Sequence, residues 1–426
     1  MEEITLKNLD QKIWKETLEN GLQIYFIPIQ NRNNYYINYL TNFGSINVEF
    51  EKNGKNYKVP NGIAHFLEHK MFEQKEGKTP FEFFAESGTD CNASTGYQST
   101  RYYVYGTKNI KENLEFLLNY VNDPYFTDEN VEKEKGIIIE EVNMYKDDPN
   151  WKLFNTLYQS TFFNHPMKDD IGGDEKSVRS ITKEELYLCY DSFYQPKNMI
   201  LVISGNFDKE ELLKVIKENK LLNKKREETK VEKLFPKEEK NIKCKKKILH
   251  EERLVIPKAT MTLKIPIENL KLDKQKNILY INMLLTILLG TASRVKERLI
   301  KENLMTTLYY NKSLLDDFII IEFEGESKDP EKLLDALLEA LKNEPITDEE
   351  IERCKKIWIS YEVRATDNIE TMANIIVDNV LTYGKVIDNK IEIFKSLNKE
   401  ELEKIRNSID FTNNAIVIGL PKDIKE

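Results

Sequence analysis

The sequence has few of the features that would identify a disulfide-stabilised, membrane-spanning or nucleic-acid-binding protein. Its four cysteines are scattered and form no C-x-x-C pair, so they indicate neither a disulfide framework nor a cysteine zinc site. No uninterrupted apolar run approaches about 18 residues, so no membrane association is expected. The N-terminal residues lack the basic and apolar regions of a signal peptide, and we therefore expect a cytoplasmic protein. The net charge of −9 argues against a nucleic-acid partner.

Histidine is also scarce, which gives weight to one short motif. Two of the four histidines frame a glutamate in the sequence H-F-L-E-H, which runs from His65 to His69 with Glu68 between them. Two neutral imidazoles one helical turn apart can ligate a divalent metal, and the carboxylate can act on a water that the metal activates. This order of residues is the inverzincin motif. His165, which precedes a proline, is expected in a turn, and His250 has no supporting group.

The motif is predicted to lie on an amphipathic helix. At about 100° per residue, His65, Glu68 and His69 share one face of this helix. The alternative to a metal site is a solvated polar face that happens to carry two histidines. The helix start is predicted at Asn61-Gly62, with Asn61 as the N-cap. The opposite face is apolar and consists of Ile63, Ala64, Phe66, Leu67 and Met71.

An internal repeat divides the chain into two similar halves. Residues 181–186 resemble residues 397–402, a shift of 216, and residues 126–133 resemble residues 346–353, a shift of 220. Shifts this close to half the chain length predict two homologous domains in tandem. Strand-like runs alternate with amphipathic helices in each half, which favours an α+β fold with a mixed, mainly antiparallel sheet covered by helices.

The expected domains are residues 1–221 and 248–426, joined by a charged surface linker at 222–247 that is too rich in lysine and glutamate to bury much apolar area. The repeat places Ile281 and Leu285 opposite the two histidines of the motif. The second domain is therefore expected to lack a metal site, which leaves one site per chain.

A catalytic zinc usually takes three protein ligands, and 72 acidic residues offer too many choices for the third. Three consecutive isoleucines in the segment 134–143 predict a buried helix there. On that helix Glu134 and Glu141, seven residues apart, share a face, whereas Glu140 is rotated away by about 100°.

Three segments together resemble the pitrilysin, insulinase and mitochondrial processing peptidase family of zinc metallopeptidases, and its short bacterial YmfH-like members in particular. The segments are residues 62–72, 134–138 and 143–151, and the resemblance extends over nearly the whole chain. It implies one Zn²⁺ per chain, held by His65, His69 and Glu141, with Glu68 as the general base and Glu134 supporting the site. It also implies that the two domains form half of a clamshell chamber.

The segment 88–95 resembles the edge strand that lies beside the metal in this family. An open strand edge can pair with an extended peptide, and we assign Asn92 and Ala93 to substrate binding on this basis. The alternative is an ordinary turn, because asparagine and glycine are favoured there.

One feature departs from the family pattern. Many members carry an arginine, and seven residues later a tyrosine, in the second half of the chain; the corresponding positions here hold Ile300 and Thr307. Arg298, Tyr309 and Tyr310 lie nearby with the wrong spacing. Either a small shift of the alignment restores the arginine–tyrosine pair, or a partner subunit supplies it. We therefore expect a dimer. The more specific hypothesis is a heterodimer with a homologous chain that carries the pair.

The sequence thus predicts a zinc endopeptidase that cleaves unfolded peptides. One alternative is a non-catalytic subunit of a processing complex, which the presence of Glu68 disfavours. Another is a thioether lyase of the LuxS type, which resembles a shorter single domain with a cysteine ligand.

Overall fold

A computed structural model describes residues 1–75, 78–227 and 229–422 of the chain. The strands within these ranges are β1 (Glu2–Thr5), β2 (Lys12–Thr17), β3 (Gln23–Pro28), β4 (Tyr35–Thr41), β5 (Glu49–Lys52), β6 (Lys55–Lys58), β7 (Asp90–Thr95), β8 (Thr100–Gly106), β9 (Met199–Gly205), β10 (Val231–Lys233), β11 (Lys246–Glu251), β12 (Lys258–Pro266), β13 (Thr307–Leu314), β14 (Phe318–Glu326) and β15 (Asn414–Pro421).

The helices are α1 (Ile63–Met71), α2 (Pro80–Glu86), α3 (Ile110–Asn122), α4 (Asp128–Lys146), α5 (Pro149–Thr161), α6 (Glu175–Ser180), α7 (Lys183–Phe193), α8 (Lys209–Glu218), α9 (Lys274–Leu289), α10 (Arg294–Lys301), α11 (Pro330–Asn343), α12 (Asp348–Ala365), α13 (Ile369–Tyr383), α14 (Lys390–Ser396) and α15 (Lys399–Asn407).

The chain divides into two units. The first unit comprises Met1–Asn143, Asp170–Phe235 and Val363–Asp388, and the second comprises Met144–Asp169, Pro236–Glu362 and Asn389–Glu426.

The first unit is built on a seven-stranded sheet in the order β1-β2-β3-β9-β4-β8-β7. β3 and β9 pair in parallel, and the other neighbours are antiparallel. Both β4 and β9 are buried along their whole length, as expected for strands with covered faces. One face packs against a core that includes residues of α1, α3, α4 and α7, and the other packs against α13.

The second unit repeats this arrangement. Its five-stranded sheet has the order β11-β15-β12-β14-β13 and again contains one parallel pair, β11 with β15. These strands correspond in order and direction to β3-β9-β4-β8-β7. The prediction of two homologous α+β domains with mixed, mainly antiparallel sheets covered by helices is therefore confirmed.

Each unit contains one helix from the other half of the sequence. In the first unit, the hydroxyl of Ser204 on β9 donates a hydrogen bond to the carbonyl of Ile369 at the start of α13, at 2.6 Å. In the second unit, the hydroxyls of Thr161 on α5 and Thr262 on β12 lie 2.6 Å apart. Helices α5 and α13 occupy equivalent positions in the two halves of the sequence. Each half therefore contributes the same helix to the unit built mainly from the other half.

The units therefore differ from the contiguous domains 1–221 and 248–426 expected from the sequence, because residues 144–169 and 363–388 each pack with the other half. The stretch 222–247, expected as a solvated linker, is in part structured. Its strand β10 pairs with β5, and the side chain of Glu238, only 3% exposed, pairs with the ammonium of Lys264 at 2.7 Å. A buried carboxylate is tolerated here because it has a cationic partner.

In the described part of the chain, one helical region, Lys274–Lys301, is long and apolar enough to cross a membrane by length and composition alone. In its most apolar stretch, 67% of the residues are buried inside the protein. This burial is typical of a core helix of a water-soluble fold, so the region is weak evidence for a membrane span.

Candidate metal centre

The motif helix α1 begins differently from the sequence prediction. Gly62, not Asn61, is the residue that precedes the first helical turn, and it adopts a φ of 87° without a side-chain cap. A Cβ atom at Gly62 would lie 2.4 Å from the carbonyl oxygen of Gly172. Both the left-handed backbone and the close approach require glycine here, so the predicted Asn61 cap is wrong.

The predicted amphipathic character of α1 is confirmed. The apolar residues Ile63, Ala64, Phe66, Leu67 and Met71 are all buried in the core of the first unit. This packing leaves the polar face of the helix directed toward α4 and β7.

Two histidines of α1 and one glutamate of α4 converge. The donor atoms of His65, His69 and Glu141 all lie within 4.8 Å of one another. The Nε2 atom of His69 is 3.4 Å from Oε2 of Glu141, and Nε2 of His65 is 3.9 Å from its Oε1. Glu140 is exposed, so the predicted rotational phase of α4 is confirmed.

The prediction that α4 is a buried helix holds only in part. Ile138 and Ile139 lie in the core, whereas Ile137 is exposed. Ile137 follows Glu134 by three residues and precedes Glu141 by four, so it shares their open face.

Glu134 holds one nitrogen of His69. Its Oε1 lies 3.0 Å from Nδ1 of that ring. Burial alone would raise the pKa of Glu134, but the hydrogen bond to His69 and the charges of His69 and Lys70 lower it. Burial favours the neutral form of His69, yet the hydrogen bond and charge of Glu134, together with the charges of Glu68 and Glu141, outweigh burial and raise the pKa of His69. With Nδ1–H directed to Glu134, the lone pair of Nε2 is left to face Glu141.

His65 is held in its neutral form. Burial, followed by the charge of His69, lowers the pKa of His65 to about 4. Its Nδ1 atom is buried and has no hydrogen-bond partner among the residues that the structure describes. Gly172 lies against it, since a Cβ atom there would be 3.7 Å from this nitrogen. A neutral, desolvated imidazole is ready to ligate a metal without first losing a proton.

The donor set fits a zinc ion. Two imidazole nitrogens and a carboxylate form the ligand combination that catalytic zinc sites use. The carboxylate of Glu134 orients His69 as an outer-shell partner of a metal ligand does. Without a cation, a lone pair of His69 and the carboxylate of Glu141 would face each other at 3.4 Å, and either a metal or a proton between them removes that repulsion.

Glu68 lies beside these donors and is itself buried. The hydroxyl of Thr95 donates a hydrogen bond to its Oε2 at 2.5 Å. Burial raises the pKa of Glu68, although the hydrogen bond from Thr95 opposes this. Thr95 has no role in the sequence prediction; its only signal is that it is a polar residue at the end of the proposed edge strand.

The segment that carries Asn92 and Ala93 is a strand and not a turn. It forms β7, the edge strand of the first sheet, paired on one side with β8. Its residues alternate between exposed and half-buried, with Asn92 exposed. The turn interpretation is therefore wrong, and the open edge can accept an extended chain.

The positions that depart from the family pattern lie in the second unit. Ile300 on α10 is 52% exposed and Tyr309 on β13 is 66% exposed. Arg298 forms an ion pair with Glu344 at 2.8 Å. Ile281 and Leu285, which the repeat places opposite the two histidines of the motif, are buried in α9.

His165 is confirmed as a turn residue. Its Nδ1 accepts a hydrogen bond from the backbone N–H of Met167 at 3.1 Å, which caps a short 3₁₀ turn.

Comparison with known proteins gives consistent matches over most of the chain. Residues 53–175 match the family described as Insulinase (Peptidase family M16), and residues 180–357 match the Peptidase M16 inactive domain. The chain is 34% identical to the zinc protease YmfH of Bacillus subtilis, over 95% of each chain.

Solved structures agree. An M16-like peptidase from Alicyclobacillus acidocaldarius superposes with a TM-score of 0.92 at 30% identity, covering 98% of this chain and 100% of that one. A shorter match, of sequence and not of structure, is 29% identical over 36% of this chain and 35% of the other. It is to a protein of Schizosaccharomyces pombe named as a probable mitochondrial-processing peptidase subunit beta.

Proposed function

Because this chain belongs to the insulinase (M16) family of zinc proteases, we propose that it is a zinc-dependent endopeptidase that cleaves unfolded peptides, with Glu68 as its general base. The observation that carries this proposal is the convergence of His65, His69 and Glu141 within 4.8 Å, next to a buried glutamate. A purely structural metal site has no need of a carboxylate in that position.

His65, His69 and Glu141 would hold the zinc, which when bound supplies a Lewis acid that polarises a carbonyl and lowers the pKa of water to about 7. Glu134 keeps the ring of His69 in one tautomer and one orientation through the hydrogen bond at 3.0 Å. The orientation of the ligand is therefore fixed before substrate arrives, and little reorganisation is needed.

Glu68 would take a proton from the attacking water and deliver it to the leaving amine. Thr95 holds this carboxylate beside the metal ligands through its hydroxyl, which donates to Oε2, and through its backbone. Because burial raises the pKa of Glu68, the carboxylate is a stronger base than a solvated glutamate. General acid–base catalysis of this kind contributes about 10²–10⁴-fold in rate.

The open edge of β7 supports a preference for extended, unfolded substrates. A peptide that adds as a further strand pairs through its backbone and makes little demand on side-chain identity. Asn92 and Ala93 lie in the middle of this edge, and we assign them to substrate binding.

The test is Glu68→Gln, which keeps the size of the side chain and removes its basicity. We expect full zinc content and a loss of about 10²-fold or more in the turnover of a quenched peptide panel. The matched control is Glu140→Gln, an exposed position on α4 that should leave turnover unchanged. Near-normal turnover by zinc-loaded Glu68→Gln would show that Glu68 is not the base.

A dimer is the second part of the proposal. The positions of the family's arginine and tyrosine are occupied by Ile300 and Thr307, and a missing oxyanion donor typically costs about 10²–10³-fold. One similar protein is named as a subunit. We therefore propose a heterodimer with a homologous chain that supplies the pair, and full activity of this chain alone would contradict it.

A non-catalytic subunit is the alternative, since part of the chain matches a domain described as inactive. Zinc binding without any peptide turnover, alone or with a homologous chain added, would favour it. Membership of the M16 family excludes the thioether-lyase interpretation.

A further inference from the structure

Lys70, directly after the second histidine of the motif, has no solvent exposure. Lysine is almost never fully buried unless it is paired, because removing its ammonium from water is costly. Its Nζ forms an ion pair with Glu73 and donates a hydrogen bond to the backbone carbonyl of Asn130 at 3.2 Å. Glu73 lies just beyond the end of α1 in the sequence, whereas Asn130 belongs to α4.

The bond to Asn130 lies one helical turn from the contact that joins the histidine to α4. His69 contacts Glu134, and its neighbour Lys70 contacts Asn130, four residues earlier on the same helix. Two adjacent residues of α1 therefore hold two successive turns of α4. The core packing of Val131 and Ile138 already restrains α4, and two separated polar contacts further restrict its rotation and its slide along α1.

We infer that Lys70 is a positioning residue for the metal centre, which links α1 to the first turn of α4 and thereby sets the location of Glu141 relative to His65 and His69. This inference rests on the proposed function, because it assigns the three residues as zinc ligands. Lys70 touches neither the metal nor the substrate in this assignment, and its direct contact with α4 is the hydrogen bond to Asn130.

The tolerance of a zinc site shows why such a link is needed. A helix rises 1.5 Å per residue, whereas ligand distances in zinc sites are met within about 0.2 Å. A slide of α4 by a fraction of one residue is therefore enough to misplace Glu141. Zinc ligands that lose an outer-shell partner typically bind metal about 10–100-fold more weakly, and we expect the same range when the link is lost.

The test is Lys70→Met, which keeps an unbranched apolar stem and removes the ammonium. The fold should tolerate it, because Glu73 can turn to solvent and the carbonyl of Asn130 lies within a helix. The matched control is Lys135→Met, since Lys135 pairs with Glu132 at 2.5 Å within α4 alone. It is the same substitution, at an i,i+3 ion pair of the same kind, without a link between helices.

Zinc affinity should be measured by chelator competition, and the visible spectrum of the cobalt(II)-loaded protein should report the ligand geometry. We expect Lys70→Met to weaken zinc binding about 10–100-fold and to change the cobalt spectrum, and Lys135→Met to match the wild type in both. Wild-type affinity and spectrum in Lys70→Met would overturn the inference, as would an equal loss in Lys135→Met.

If Lys70→Met does not fold, Lys70→Gln decides the question, because it is neutral and shorter but still polar. A weaker affinity in folded Lys70→Gln supports the link, and an unchanged affinity refutes it. Neither outcome depends on peptide cleavage. A wild-type chain that binds no zinc would sink the proposed function itself, whereas unaltered Lys70 variants would sink only the positioning role.

Discussion

Removal of Glu134 should weaken zinc binding without removing a ligand. Its carboxylate accepts a hydrogen bond from Nδ1 of His69 at 3.0 Å, and its side chain is largely buried. This bond fixes the tautomer that directs the Nε2 lone pair of His69 toward Glu141. In Glu134→Ala the ring can rotate or change tautomer, whereas in Glu134→Gln an uncharged oxygen can still accept the bond.

The magnitude follows from this one contact. A hydrogen bond to a charged group is worth about 1.5–3 kcal/mol net, and about 1.4 kcal/mol corresponds to a tenfold change in a dissociation constant. Glu134→Ala should therefore raise the Kd for zinc by about 10–100-fold, in agreement with outer-shell partners elsewhere. Because a neutral hydrogen bond has about half the strength of a charge-assisted one, Glu134→Gln should raise the Kd by roughly three- to tenfold.

The assay is competition with a chromophoric chelator at neutral pH, on metal-free protein of verified thermal stability. Glu140→Ala is the control, because Glu140 is an exposed carboxylate on the same helix that faces away from the site. An unchanged Kd in Glu134→Ala would refute the reasoning. An equal loss in Glu140→Ala would show that the effect comes from the net charge of α4 and not from the bond to His69.

Two further outcomes are expected. Gly62→Ala should destabilise the protein by more than the roughly 1–2 kcal/mol that a left-handed backbone costs an alanine, because its Cβ would also clash with Gly172. The control is Gly54→Ala, which has a φ of 83° and no atom within 4 Å of the added Cβ, and therefore measures the backbone cost alone. Equal losses of unfolding free energy in the two variants, measured by denaturant unfolding, would contradict the clash. Zinc binding should release protons, because the pKa of His69 is raised and its protonated form must lose a proton to bind. The number of protons released, measured by calorimetry in paired buffers, should increase as the pH falls through the raised pKa of His69, and a pH-independent value would be inconsistent with that pKa.

The parts of the fold that follow from local periodicity were predictable from the sequence. The apolar arc of α1 and the rotational phase of α4 both depend only on the 3.6-residue repeat. The meeting of Glu141 with the two histidines joins two helices, and it was expected from the family resemblance and not from periodicity. The repeat between the halves likewise predicted two related sheets. The helix start was missed because the need for Gly62 comes from the backbone of Gly172, more than one hundred residues away in the chain.

The helix exchange was not predictable from local sequence. The residues of α5 and α13 specify an amphipathic helix, but an apolar face fits either of two homologous sheets, and only tertiary packing selects between them. The contacts of Lys70 and Thr95 were missed for a related reason. The bonds from Lys70 to Asn130 and from Thr95 to Glu68 each join residues that are distant in sequence, and neither residue type by itself indicates that its side chain is buried.

The reciprocal exchange of α5 and α13 has a consequence for the order of folding during synthesis. All three proposed zinc ligands have been translated once residue 141 is made, and the last strand of the first sheet ends at Gly205. Helix α13, which covers one face of that sheet, is complete only at Tyr383. At about 5–20 residues per second, the apolar face of the sheet stays uncovered for roughly 10–40 s. During that time the amino-terminal half must remain soluble on the ribosome with this face exposed. A chain that stalls in the second half therefore leaves an aggregation-prone product.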